Sequence, residues 1–126
     1  MGTFNVDLWV GSLFAEEGAT VSALVDTGAT NTVLPASLLH GLGIEPVETR
    51  FARVADGRRV ELQTAWARFS VPGRNAVARV AFGPEGQYLM GATTLEDLAL
   101  VVDPVDQRLI EQEDLLMRGE ERWPKN

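Results

Sequence analysis

The β-branched runs of this sequence are short, and glycine and proline, 12 and 6 residues respectively, cut between them at close intervals. That punctuation favours a β-rich fold with tight turns. Phe4, Val6, Leu8 and Val10 alternate with Asn5, Asp7 and Trp9, the period of two of a half-buried strand, so a first strand is expected over residues 3–14. Glu17-Gly18 supplies turn chemistry, and Thr20 to Val25 reads as a second strand with Val21, Ala23 and Val25 on one face. This second strand delivers the tripeptide Asp26-Thr27-Gly28.

Beyond the tripeptide, Thr32-Val33-Leu34 is strand-like, and Pro35 suits the first position of a short helix through Leu39 that Gly41 ends. His40 falls at the C-terminus of that helix, a favourable place for a surface histidine, and receives no catalytic role. Phe51 to Val54 and Val60 to Ala67 form a projecting hairpin whose Asp56-Gly57 pair accommodates positive φ. A second hairpin joins Arg68–Val71 to Ala76–Phe82. After the buried run Leu89-Met90-Gly91, Thr93 and Glu96 have the spacing of a capping box, with Thr93 as N-cap of a helix over Thr94–Leu98. Val101-Val102 and Arg108-Leu109-Ile110 close a last hairpin.

At 126 residues and 45% hydrophobic, the chain has material for one core. It reads as one domain over 1–126, with the core at about 3–110 and a C-terminal extension over 111–126. The fold class is all-β, mainly strand with two short helices. A net charge of −7, with ten of the eleven basic residues being arginine and none clustered beyond Arg58-Arg59, gives a phosphate backbone little to hold, so nucleic acid is not an expected partner. No cysteine and a single histidine leave no thiolate or zinc site, and no metal or other cofactor is expected. The first ten residues lack the basic and apolar regions of a signal peptide, and no apolar run approaches the ~20 residues of a membrane span, so a cytoplasmic protein without membrane contact is expected.

Asp-Ser/Thr-Gly arises by chance in about one chain in twenty of this length, so its context must carry the argument. Here it follows the apolar Leu24-Val25 and precedes Ala29-Thr30-Asn31-Thr32-Val33-Leu34, which places a carboxylate where the chain leaves a sheet through a tight turn. Leu24 to Ala29 followed by Thr32-Val33-Leu34 resembles the active-site loop of retroviral-type aspartic peptidases, the retropepsins. The hairpin from Phe51 to Ala67 resembles their flap, and Leu89-Met90-Gly91 with the following helix resembles their later apolar-apolar-Gly strand. The segment from Leu98 to Ile110 is similar to the closing hairpin of the bacterial predicted aspartyl proteases.

The resemblance implies a closed, orthogonal β-barrel that works as a homodimer, an aspartic endopeptidase acting on a peptide or protein substrate. Asp26 from each chain would activate one water, Thr27 would brace the two loops across the dimer axis, and Gly28 would let the backbone approach the substrate. Ala29 and the flap residues Val54, Ala55, Asp56 and Gly57 would contact an extended substrate. Thr30 and Ala92 stand where retroviral enzymes commonly carry an acidic residue and an arginine, so that ion pair is missing, and Leu109, Ile110, Leu115, Leu116 and Met117 are candidate apolar contributors to a dimer. If a second acid had to come from the same chain, Asp56 and Asp103 would be the first to test. Two other readings fit the same residues. One is a catalytically silent dimer that binds peptides or regulates. The other is a structural β-domain in which Asp26 only accepts backbone hydrogen bonds.

Overall fold

The computed structural model describes residues 3–113 of the chain. In chain order the elements are β1 (Asn5–Gly11), β2 (Gly18–Val25), β3 (Thr32–Pro35), α1 (Ala36–Gly41), β4 (Glu48–Arg53), β5 (Arg59–Val71), β6 (Arg74–Gly83), β7 (Leu89–Met90), α2 (Ala92–Asp97), β8 (Leu100–Asp103) and β9 (Arg108–Glu111). Mainly β with two short helices, it has the expected class. Seven strands form one sheet in the order β1-β2-β7-β3-β6-β5-β4, and β5 pairs back onto β1, Val10 opposite Phe69, so the ladder returns to its first strand. β8 and β9 make a separate two-stranded ribbon.

The alternation seen in the sequence sets which face is buried. Leu8 and Val10 of β1, Ala23 and Val25 of β2, and Ala67 and Phe69 of β5 point into one core, with Phe69 fully enclosed. Burying a side chain of that size contributes roughly 1.5–3 kcal/mol. On the opposite face of β1, the Trp9 indole lies across Gly11 and Gly18, which face each other in register, and any Cβ at Gly18 would collide with the ring.

β1 is shorter than expected and stops at Gly11. Arg68 reaches across from β5 to donate to the carbonyls of Ser12 (3.0 Å) and Ala15, and its guanidinium sits 4.9 Å from the Trp9 ring. Residues 12–17 therefore turn under an arginine clamp instead of extending the strand. The two strands expected at 60–67 and 68–71 are one, β5, which pairs with β4 along Arg59–Thr64 and with β6 along Thr64–Val71. Pro35 ends β3 and caps α1 instead of starting it, its ψ of 137° being extended. His40 lies in the last turn of α1 as expected, with Nδ1 3.2 Å from Glu45 Oε1 and the side chain half exposed.

Arg74 helps to seat the β8–β9 ribbon, beside the packing of Leu100, Val102 and Leu109 on the core. Arg74 donates from Nη1 to the carbonyls of Leu98 (3.1 Å), Ala99 (3.1 Å) and Gln112 (3.3 Å), so the positively charged donor gathers the chain entering β8 and the chain leaving β9 at the ribbon's open end. Of the apolar residues proposed for a dimer contact, Leu109 packs against the core and Ile110 is 40% exposed. Leu115, Leu116 and Met117, with most of the proposed 111–126 extension, lie outside the described residues. No helix among the described residues is long and apolar enough to cross a membrane.

Replacing Arg74 by Met keeps the aliphatic stem and deletes the donors. Arg74→Met is expected to destabilise the protein by about 1.5–3 kcal/mol in urea titration, with faster amide exchange at Gln112 and along β8–β9 than in β6.

Candidate active site

β2 ends on buried Val25, and the chain leaves the sheet at Asp26. The Asp26 N–H still donates to Met90 O (3.0 Å), so the carboxylate emerges from a backbone held at sheet geometry. The loop then folds on itself. Gly28 N–H donates to Asp26 Oδ1 (3.0 Å), and Ala29 N–H donates to the Asp26 carbonyl (3.1 Å). Asp26 and Ala29 are partly buried while Thr27 and Gly28 are exposed. Gly28 does not use the left-handed region. What it supplies is room, because a Cβ there would lie 3.3 Å from the carboxylate oxygen that its own N–H holds.

The far side of the loop is tied to residues 90–94. β7 is only two residues long, but it lies between β2 and β3, parallel to the first and antiparallel to the second. Its successor Gly91 donates to Thr32 Oγ1 (3.1 Å), Ala92 N–H donates to Ala29 O (2.8 Å), and Thr93 N–H donates to Thr30 O (3.0 Å). The first-turn N–H groups of α2 therefore take their partners from the loop. This overturns the expected capping box: Gly91 is the N-cap, no side chain caps the helix, and the Thr93 hydroxyl is buried without a partner. Gly91 is sterically required, since any Cβ would collide with the carbonyl group of Asn31 and come within 2.9 Å of Thr32 N.

The β4–β5 hairpin bears the other expected site residues. Val54, Ala55, Asp56 and Gly57 form its tip, with Gly57 at φ 91° as the Asp-Gly pair implied. The tip is internally bonded: Val54 N–H donates to Arg58 O (2.9 Å), Gly57 N–H to Val54 O (2.9 Å), and Arg53 Nη1 to Gly57 O (2.7 Å). Asp56 accepts from Arg58 N–H (3.0 Å) and from Arg58 Nε (2.8 Å), and these bonds, the backbone one first, hold its carboxyl below the ordinary aspartate range. At the base, Arg79 Nη1 meets Glu48 Oε1 at 2.6 Å and lowers that carboxyl in the same way.

Asp26, Thr27, Gly28 and Ala29 thus form one loop and residues 54–57 another, with no hydrogen bond between the two groups among the described residues. Two surface grooves, of about 870 and 300 Å³, involve neither group. The larger lies beside Trp9 and Arg68, and the smaller beside Phe14, Val47 and Trp66. Asp103 is occupied elsewhere. It accepts from Val105 N–H (3.1 Å) and Asp106 N–H (3.3 Å) in the β8–β9 turn, and chiefly the Asp106 bond lowers its carboxyl. Both fallback candidates for a second acid are therefore held ionised by their own turns. No cluster of metal-ligating side chains occurs among the described residues. Sequence reasoning assigned Thr32 and Thr94 only to their elements, yet their hydroxyls meet at 2.6 Å in the core. A threonine that interrupts an apolar inward face was the available signal.

A protein-family model described as Aspartyl protease matches residues 13–107, a span that contains the Asp26 loop, the β4–β5 hairpin and α2. Among solved structures, the chain is similar to the solution structure of the simian foamy virus (mac) protease. The TM-score is 0.54 at 22% sequence identity, covering 73% of this chain and 91% of that one, a likeness of fold. No curated protein matches the sequence.

Gly91→Ala is expected to lower stability by about 3 kcal/mol in chemical denaturation, because the methyl group meets backbone and not a side chain that can move aside. The Asp56 contact gives a pH signature. Its folded-state value is depressed, so the bond is intact above the ordinary range and is lost as pH falls through the lowered value. The Arg58 amide resonance should hold steady between about pH 7 and 5 and shift only below about pH 4.

Proposed function

Since this chain belongs to the aspartyl protease family, we propose that it is an endopeptidase whose water is activated by two Asp26 carboxylates, one from each of two copies. The observation that carries this reading is the single Asp-Thr-Gly loop, suspended from residues 90–94 with its carboxylate at the sheet's end. Carboxylate hydrolysis needs one group ionised and another protonated on the same water. Asp56 and Asp103 are engaged in turns of their own, which supports a second acid from a second chain. A twofold axis through the loop brings the two Asp26 residues together.

In this scheme the ionised Asp26 takes a proton from water as the oxygen attacks the scissile carbonyl. The protonated Asp26 of the second copy gives its proton to the carbonyl oxygen; as the tetrahedral diol collapses, the first Asp26 passes the water's proton to the leaving amine and a diol hydroxyl reprotonates the second. Gly28 N–H holds Oδ1 of each carboxylate, which leaves Oδ2 to meet the water in this scheme. Thr27, exposed in the single chain, becomes the brace between the two loops. The substrate lies extended against Ala29, covered by the 54–57 tips, with its main chain paired as an added strand. The return pairing of β1 with β5 supports the closed barrel that this geometry needs.

The nucleophile and the stoichiometry are tested together on a peptide library. Asp26→Asn should reduce kcat by roughly three orders of magnitude with unfolding midpoint unchanged, because the amide keeps the shape and cannot act as base. Dilution should lower the specific activity of the wild type, and excess Asp26→Asn chains should suppress it through mixed dimers. Constant specific activity across dilution, from a species that sediments as a monomer, would remove the two-chain dyad.

A further inference from the structure

Thr32 and Thr94 are 62 residues apart, yet their hydroxyl oxygens lie at 2.6 Å with both side chains fully buried. Thr32 Oγ1 also accepts the Gly91 N–H at 3.1 Å. With Thr64 they are the buried polar residues among the described positions, and Thr64 is accounted for by its bonds to Glu48 O and Arg79. Valine has the shape of threonine and suits a buried strand without a hydroxyl to desolvate, so packing does not explain Thr32. The hydroxyls are explained by what they hold.

They hold Gly91, whose two neighbours carry the loop: Met90 O accepts the Asp26 N–H on one side, and Ala92 N–H donates to Ala29 O on the other. Thr32 is itself the first residue after the loop. One hydroxyl therefore joins the loop's exit to the midpoint of the segment from which its entry hangs. Thr94 gives the Thr32 hydroxyl a second partner, which favours the rotamer that faces Gly91.

We propose that Thr32, with Thr94 as its partner, is a positioning residue for Asp26, setting the carboxylate's location so that two copies meet on one water. The proposal rests on the peptidase reading. Thr32 touches neither substrate nor water in this account and acts through Gly91.

The test compares Thr32→Val, Thr32→Ser and Thr94→Val in the full chain, measuring kcat and KM per folded molecule and amide exchange at Asp26, Ala29 and Gly91. Thr32→Val should lower kcat by roughly 10- to 100-fold with KM changed less than about twofold, as expected of a misplaced reacting group. Exchange at the three amides should quicken by at least about tenfold. Thr32→Ser should restore both, and Thr94→Val should give a smaller loss of the same kind. If Thr32→Val does not fold, Thr94→Val and Thr32→Ser carry the comparison. A lower unfolding midpoint with unchanged kcat overturns the proposal, as does a Thr32→Ser variant no better than valine. Wild-type protein without Asp26-dependent cleavage removes the peptidase reading instead, and unchanged exchange at Asp26 and Ala29 in the variants then disproves the anchoring on its own.

Discussion

Five consecutive residues, Met90 to Thr94, meet the hydrogen-bonding needs of a loop that belongs to no sheet. A buried backbone group left without a partner costs as much as a lost hydrogen bond, and a loop lodged between β2 and β3 has several such groups to satisfy. The first turn of a helix has the complementary need, since its leading N–H groups lack acceptors within the helix. Docking α2 against the Asp26 loop satisfies both sets, through Ala92 to Ala29 and Thr93 to Thr30. The close approach that makes this possible excludes a side chain at Gly91. Thr30 and Ala92 can form no ion pair, and backbone bonds join their segments.

Arginine does the comparable work on the surface. Arg68 holds the carbonyls that end β1, Arg74 gathers three carbonyls of the β8–β9 ribbon, and Arg79 ties Glu48 to Thr64 while lying 4.4 Å from the Trp66 ring. Several donors in one rigid plane suit a group that must reach more than one acceptor, which lysine's single ammonium does less well. At these three positions arginine thus has a structural explanation. Acidic side chains divide similarly. Asp56 and Asp103 brace their own turns, whereas the Asp26 carboxylate accepts one bond among the described residues, from Gly28.

Most of the strands and the place of the Asp26 loop were legible in the sequence because both depend on short-range pattern: alternation over Phe4–Val10, apolar Leu24-Val25, and glycine at Asp56-Gly57. The misreadings share one cause, which is partners distant in sequence. Thr93 and Glu96 have the spacing of a capping box, but carbonyls more than 60 residues away had already taken the helix's N–H groups. β1 reads as continuing past Gly11, and an arginine from β5 turns it. Leu89-Met90 is recognisably apolar, yet nothing local says that it will part β2 from β3. Thr32 and Thr94 illustrate the limit most clearly, since neither residue's surroundings in sequence hint at the other.

The thirteen residues of β5 form one uninterrupted strand shared by the projecting hairpin and the core, and Thr64 is where its pairing passes from Glu48 on β4 to Ala81 on β6. That crossing point is buried and doubly fastened, by Thr64 Oγ1 to Glu48 O and by Arg79 to both residues. Mechanically, the hairpin is a cantilever clamped at Thr64, stiffened along its length by the β4 ladder and closed at its tip by the Asp56–Arg58 and Arg53–Gly57 bonds. A force applied at Gly57 reaches the seven-stranded sheet as a bending moment at Thr64, on the strand that five residues later lines up with Val10 of β1.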